Sequence, residues 1–517
     1  MGITYNSNCP QIPQECVALW RDAVGEECGA LAAALAGAPT VSVRFHPLKA
    51  NADGWNPDSS SAPTVSLRLC PPKQAEIDAK RAEQDANRLE QNILKFDADV
   101  PWCTTGRFLL ERPIFTLDPH FHAGAYYVQE ASSMFLAQMA PFYKKQGIKR
   151  VLDLCGAPGG KSTLLAEMLP EDGILVANEV IRSRVSILSE NVAKWGYPNV
   201  VVTNNDAKDF QVLPRYFDLL LIDAPCSGEG MFRKEQKAKD EWSLAAVRLC
   251  AERQRRIVAD VWETLRPGGF LIYSTCTFNR HENEENVAWI CTHLGAKVVP
   301  LHLPPDWGIM EQEGCYRFLP HRIKGEGLFF ALLQKNGIAD ESHCNSAQKK
   351  DVTTAAKSLI LPHMKKIMPV REASVTWVRE SVRSNCVGES VRLYAKGALL
   401  KALPEKLASE MVALENVLNV VQSGVAVARA KGKDWAPEPD LALSPIMQPD
   451  AFPVVEVDLI TARRYLARES ITLPHAPSGY IIIQYQGSRL CFAKNIGSRI
   501  NNLYPQARRI RQRFATT

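Results

Sequence analysis

No run in this sequence approaches the ~18 apolar residues of a membrane-spanning helix. Its 46% hydrophobic content therefore belongs to the cores of globular domains. The opening residues, MGITYNSNCPQ, lack a basic stretch followed by an apolar one, so no secretory leader is expected. Position 6 is Asn, which also misses the myristoylation pattern. Fourteen cysteines are present, but none forms a CxxC pair. That spacing argues against a zinc site or a disulfide framework and for reduced thiols in a cytoplasmic protein. Net charge is only +5, so any charge argument must be local. There is no 20–50-residue repeat of the solenoid type. Nothing implies a membrane, a metal or a protein partner.

At 517 residues the chain should form several domains. Residues 1–110 read as an N-terminal α+β region: one helix, CVALWRDAVGEECGALAAALAG, then a strand, TVSVRF, ending in HPLK. Within it, 54–96 is first turn-rich and then highly charged, and reads as an insertion without chemistry. From 111 to 335, apolar strand-like runs alternate with helical patterns: VLDLC, GILVANEV, NVVVTNND, YFDLLLIDAPC and GGFLIYSTC. Continuous apolar runs suit strands buried on both faces, and the alternation predicts βαβ units around a parallel sheet. Residues 336–356 are polar and read as a linker, and 357–450 as a mixed region. The last piece, 451–517, reads as a small β-rich module with a hairpin turning at Gln486-Gly487.

In parallel sheets, ligands bind beyond the carboxyl ends of the strands. The turn CGAPGGKS at 155–162 occupies one such end. It nearly matches a phosphate-binding loop, but Cys155 stands where the first glycine is required. The GxGxxG spacing of a dinucleotide site is also absent. A nucleoside-binding turn fits better, because Gly159 and Gly160 let backbone amides approach a ligand. Glu179 ends the next strand, about 20 residues on, where an acid can accept from ribose hydroxyls. Asp206 ends the third strand and could bind an adenine amino group. S-adenosylmethionine suits a turn with no pyrophosphate to cradle.

Two further strand ends carry thiols, Cys226 in DAPCSGEG and Cys276 in YSTCTFN. Most single cysteines are small buried hydrophobes. Two beside a cofactor turn point to methyl transfer onto a ring carbon, where a thiolate adds to the ring and activates its neighbour. Asp223, three residues before Cys226, is placed to protonate or hydrogen-bond the ring nitrogen, provided that burial raises its pKa. The residues alone leave open which cysteine attacks. Lys494, Arg499, Arg508, Arg509, Arg511 and Arg513 form an acid-free basic end, and Arg44, Lys49, Arg233 and Lys234 are further candidate phosphate contacts.

The stretches YYVQEASSM (126–134), LDLCGAPGGKS (152–162), DAPCSGEGMFRK (223–234), YSTCTFNRHENEENV (273–287) and YRFLPHRIKGEG (316–327) resemble the RNA (cytosine-5)-methyltransferases of the Nop2/Sun superfamily, with the bacterial RsmF type most similar. The C-terminal KNIGSRINNLYPQARRIR is similar to the PUA-like end of such proteins. The resemblance implies a Rossmann-like class I methyltransferase domain. It implies S-adenosylmethionine on Cys155, Gly156, Ala157, Pro158, Gly159, Gly160, Lys161, Glu179, Asp206 and Asp223. It assigns attack to Cys276 and product release to Cys226, and implies an RNA substrate, rRNA before tRNA. Gly156 stands where an alanine is common. A phosphate-loop NTPase, a silent RNA-binding homologue and a DNA methyltransferase are the alternatives. They are disfavoured respectively by Cys155, by the presence of both thiols and the acid, and by the second thiol with a PUA-like end.

Overall fold

The computed structural model describes residues 12–49, 94–337, 391–432 and 434–512. Most of the expected insertion, nearly all of the expected linker, and Arg513 lie outside the described residues. The N-terminal stretch that reads as one helix is two, Gln14–Val24 and Cys28–Leu35. They part at Gly25, whose φ of 61° suits glycine. An antiparallel sheet follows, built from β1 (Ser42–Phe45), β2 (Phe96–Val100), β3 (Cys103–Leu109) and β4 (Tyr126–Val128) in the order β2-β3-β1-β4. One of its strands therefore comes from beyond residue 110.

The centre is a ten-stranded sheet. Its five parallel strands are β5 (Arg150–Asp153), β6 (Ile174–Asn178), β7 (Val200–Thr203), β8 (Phe217–Asp223) and β9 (Leu265–Thr275). They lie in the order β9-β8-β5-β6-β7. The expected Rossmann-like α/β fold is present, and the chain turns opposite ways out of β5. A cleft forms at such a reversal, above the carboxyl ends of the strands. The sheet separates two apolar layers. Val151, Leu175, Val202 and Leu219 face one, and Leu152, Val176, Val201 and Leu220 face the other. After β10 (Ala296–Val298), β11 (Met310–Gln312) and β12 (Cys315–Phe318), β13 (Leu328–Lys335) returns antiparallel beside β9.

The region read as mixed does more than connect. Of β14 (Val391–Lys396), β15 (Leu399–Pro404), β16 (Val420–Ser423), β17 (Val425–Lys431) and β18 (Asp434–Pro437), four form their own sheet. The fifth, β16, pairs antiparallel with β7 and extends the central sheet. The expected β-rich module holds β19 (Val454–Glu456), β20 (Gly479–Tyr485), β21 (Ser488–Asn495), β22 (Ile500–Asn502) and the helix Leu459–Leu466. Its hairpin turns at Gln486-Gly487, with φ of 44° and 75°, as a two-residue primed turn requires. The module is fastened to the segment that leads into β4. His120 bonds Ser488 at 2.8 Å, His122 bonds Tyr504 at 2.8 Å, and Arg463 donates to the Leu117 carbonyl at 2.9 Å.

Candidate active site

The turn after β5 runs through residues 154–159 into the helix Gly160–Met168. Gly159 has φ of 115°, which an L side chain adopts only under strain. The Gly156 amide donates to the Asn178 carbonyl at 2.7 Å, tying the turn to β6. A Cβ at 156 would sit 2.8 Å from Ser162 Oγ. In this chain the glycine therefore makes room for Ser162, which donates to Asp153 Oδ2 at 2.6 Å. The Ala157 carbonyl accepts from Arg184 at 2.9 Å, and the Pro158 carbonyl from Tyr127 at 2.9 Å. Burial pushes the Cys155 thiol up, so it serves the turn as an uncharged side chain.

Sequence reasoning missed Asp153 at the end of β5. Burial raises its carboxyl to about 7, with Asp223 adding to the rise and Ser162 opposing it. Its Oδ1 is buried without a hydrogen-bond partner. Glu179 follows β6; its Oε1 accepts from the Ile181 amide at 2.9 Å, while buried Oε2 has no hydrogen-bond donor and lies 3.2 Å from an Arg184 nitrogen. The orphaned buried oxygen of Asp153 calls for an explanation. Hydroxyl donors on a ribose and the positive charge of a sulfonium ligand fit this acidic set. Val180 and Ile181 come next and are 56% and 48% exposed, offering an apolar surface for a flat purine. Asp206 is exposed and caps the following turn, accepting from the Lys208 amide at 3.3 Å.

Asp223, at the end of β8, is held by a charge and a hydroxyl. Lys161 Nζ lies 2.8 Å from Oδ2, and Ser274 Oγ donates to Oδ1 at 2.8 Å. The ion pair links the cofactor turn to the end of β8.

The two thiols meet: Cys226 Sγ and Cys276 Sγ are 3.2 Å apart. Sharing a hydrogen bond with Cys276 pushes the Cys226 thiol well above its ordinary range, and burial adds to this. Either sulfur can donate in this contact. Two fully buried glutamates hold the loops. Glu229 accepts from the Phe278 amide at 2.7 Å, from Trp20 Nε1 at 2.8 Å and from Asn279 at 2.8 Å. Glu282 accepts from the Ser227 amide at 3.0 Å, Gln254 at 2.8 Å and Asn279 at 2.9 Å. The Gly230 amide donates to the Cys276 carbonyl at 2.7 Å. Neither glutamate was among the residues singled out from the sequence, because their role comes from burial and distant partners.

Several candidate phosphate contacts are structural instead. Arg44 is fully buried, paired with Glu167, bonded to Gln129 at 2.8 Å and stacked on Trp195 at 4.5 Å. Lys49 donates to the Ala123 and Lys194 carbonyls. Arg233 is buried against Glu326 at 3.3 Å. Arg508 bridges Glu190 at 3.3 Å and Asp440 at 3.1 Å. Lys234, Arg499, Arg509 and Arg511 are exposed, and Lys494 lies over the Tyr480 ring at 4.7 Å.

Comparisons with known proteins agree with this layout. Residues 142–334 match the family model "16S rRNA methyltransferase RsmB/F", 452–510 "Methyltransferase RsmF PUA domain", and 59–131 "N-terminal domain of 16S rRNA methyltransferase RsmF". The last span takes in most of the stretch read as an insertion. Ribosomal RNA small subunit methyltransferase F of Citrobacter koseri is 31% identical over 427 residues, covering 79% of this chain and 84% of that protein. The Escherichia coli O6:H1 protein of that name is 31% identical over 430 residues, with 79% and 84% covered. The crystal structure of PH0851 shares the fold with a TM-score of 0.50 and 24% identity, covering 64% of this chain and 70% of that one.

Proposed function

The chain belongs to the RsmF-type Nop2/Sun methyltransferases and is an S-adenosylmethionine-dependent RNA methyltransferase; from that premise we propose that it methylates carbon 5 of a cytosine in ribosomal RNA through a covalent bond to Cys276. S-adenosylmethionine supplies an electrophilic methyl group that carbon 5 of an intact cytosine is too weak a nucleophile to attack. The Cys276 thiolate adds to carbon 6, and carbon 5 becomes enamine-like. After transfer, loss of the carbon-5 proton and expulsion of the Cys276 thiolate restore the ring.

The observation that carries this reading is the 3.2 Å contact between the two sulfurs. By donating to Cys276, Cys226 stabilises its thiolate as it leaves the methylated ring. Asp223, held by Lys161 and Ser274, can accept from the exocyclic amine of the ring while Lys161 donates to N3. The base must be unstacked for the thiol to reach its face. A thiol pair of this kind needs reducing conditions, so the cytoplasm is part of the proposal. The ribosomal substrate rests on the matched family and on the relatives named for the small-subunit RNA.

Incubation with methyl-labelled S-adenosylmethionine and small-subunit rRNA, followed by bisulfite sequencing, tests the assignment. Label at one bisulfite-resistant cytosine is expected. Label on another base, or on tRNA alone, would contradict it.

A further inference from the structure

A second cavity lies outside the thiol cleft, between the 112–128 segment and the helix Arg182–Trp195. Its volume is about 610 Å³, within the range of small-ligand pockets. Phe115, Phe121, Tyr127 and Trp195 supply aromatic walls, and Arg112 and Lys194 supply charge. Pro158 of the cofactor turn forms one side. The walls are held in place. Tyr127 Oη donates to the Pro158 carbonyl, and Asn191 Nδ2 donates to Tyr127 Oη at 3.2 Å and to Pro158 O at 2.8 Å.

Neither cation forms an ion pair among the described residues. Lys194 Nζ lies 4.6 Å from the Phe121 ring centre, and the Arg112 guanidinium 5.5 Å from that of Phe115. Burial lowers Lys194 to about 8, with Glu190 opposing and Arg508 assisting the shift. An ammonium so stripped of water gains from an anion beside it. A purely apolar ligand would have no use for the two cations, and a simple anion none for the four rings. A nucleotide uses both, with its base against the rings and its phosphate at the cations.

We propose that this cavity holds an unstacked nucleotide of the RNA substrate, close to the target cytosine in the strand, with its base on Phe115 and Phe121 and its phosphate at Lys194 and Arg112. The proposal rests on the RNA methyltransferase reading. It gives the strand a hold beside Pro158 while the target base enters the thiol cleft.

The test uses the full chain and a single-stranded RNA with one cytosine and 4-thiouridine at the flanking positions. On irradiation the wild-type protein should crosslink within 112–128 or 191–195. Lys194→Gln and Phe121→Leu should each weaken RNA binding by about five- to tenfold, as expected for loss of one stacking or charge contact, with S-adenosylmethionine affinity unchanged. The proposal is overturned by crosslinks confined to other segments, or by unchanged RNA affinity in both variants. Weakened cofactor binding in the variants also overturns it, by returning the cavity to the cofactor site. Should a variant fail to fold, the wild-type crosslink decides. Methyl transfer by the wild type is scored separately. Its complete absence counts against the RNA methyltransferase reading, whereas transfer without a crosslink in these segments counts against the cavity alone.

Discussion

Asp153 combines full burial with an unsatisfied oxygen, directly beneath the cofactor turn. Burial holds its pKa at about 7, above the ordinary ~4 of an aspartate. The carboxyl is therefore neutral below that pH and negative above it. A ligand carrying a sulfonium and an ammonium favours the negative form, so its binding releases the proton. Affinity for S-adenosylmethionine should rise with pH up to about 7, by at most about tenfold per unit, and level off above it. In Asp153→Asn that dependence should flatten. Calorimetry across this range checks both; an equally steep profile in the variant would assign the proton elsewhere. The same raised pKa lowers folding stability as pH climbs from the unfolded value towards 7. The sequence revealed the cofactor turn and the two thiols because glycine spacing and strand-end cysteines are local signals. It hid Asp153, Glu229 and Glu282, whose importance comes from burial and from partners far along the chain.

At the scale of elements, the parallel strands were legible because burial on both faces makes them continuous apolar runs. Their carboxyl ends followed, and with them the cleft. Strand β16 was not legible. Val420–Ser423 is a short edge strand whose partner, β7, lies far upstream, and no local pattern encodes such a pairing. The N-terminal helix was read through Gly25 because the apolar spacing continues on both sides. The cofactor turn depends on one backbone conformation. An alanine at 159 would find its neighbours only at ordinary contact distance, 3.4 Å, so the cost of Gly159→Ala should come from φ. A destabilisation of ~1–3 kcal/mol is expected, read as a lower unfolding midpoint with weakened cofactor binding. An unchanged midpoint would mean that the turn relaxes without strain.

At the scale of the whole molecule, the basic C-terminus divides into two roles. Arg508 ties the C-terminal module to the helix carrying Glu190 and to Asp440. Arg508→Ala should destabilise by about 1–3 kcal/mol, less than the ~3–5 of a wholly buried pair because both acids are partly exposed. Arg509 and Arg511 are exposed. Replacing them with alanine should leave the unfolding midpoint unchanged and lower the slope of log affinity for RNA against log salt by about one per lost phosphate contact. Unfolding scans and salt titrations separate the two roles; an unaltered slope would remove the tail from the RNA surface. Composition alone grouped these arginines, and only the packing distinguishes them.

The central claim is the division of labour between the paired thiols, and a denaturing gel with labelled substrate RNA and S-adenosylmethionine tests it most directly. Cys226→Ala should attack and methylate but fail to release, leaving a slow-migrating covalent complex through Cys276. Cys276→Ala and the double variant should show no complex. A complex formed by Cys276→Ala and absent from Cys226→Ala would contradict the account and make Cys226 the nucleophile.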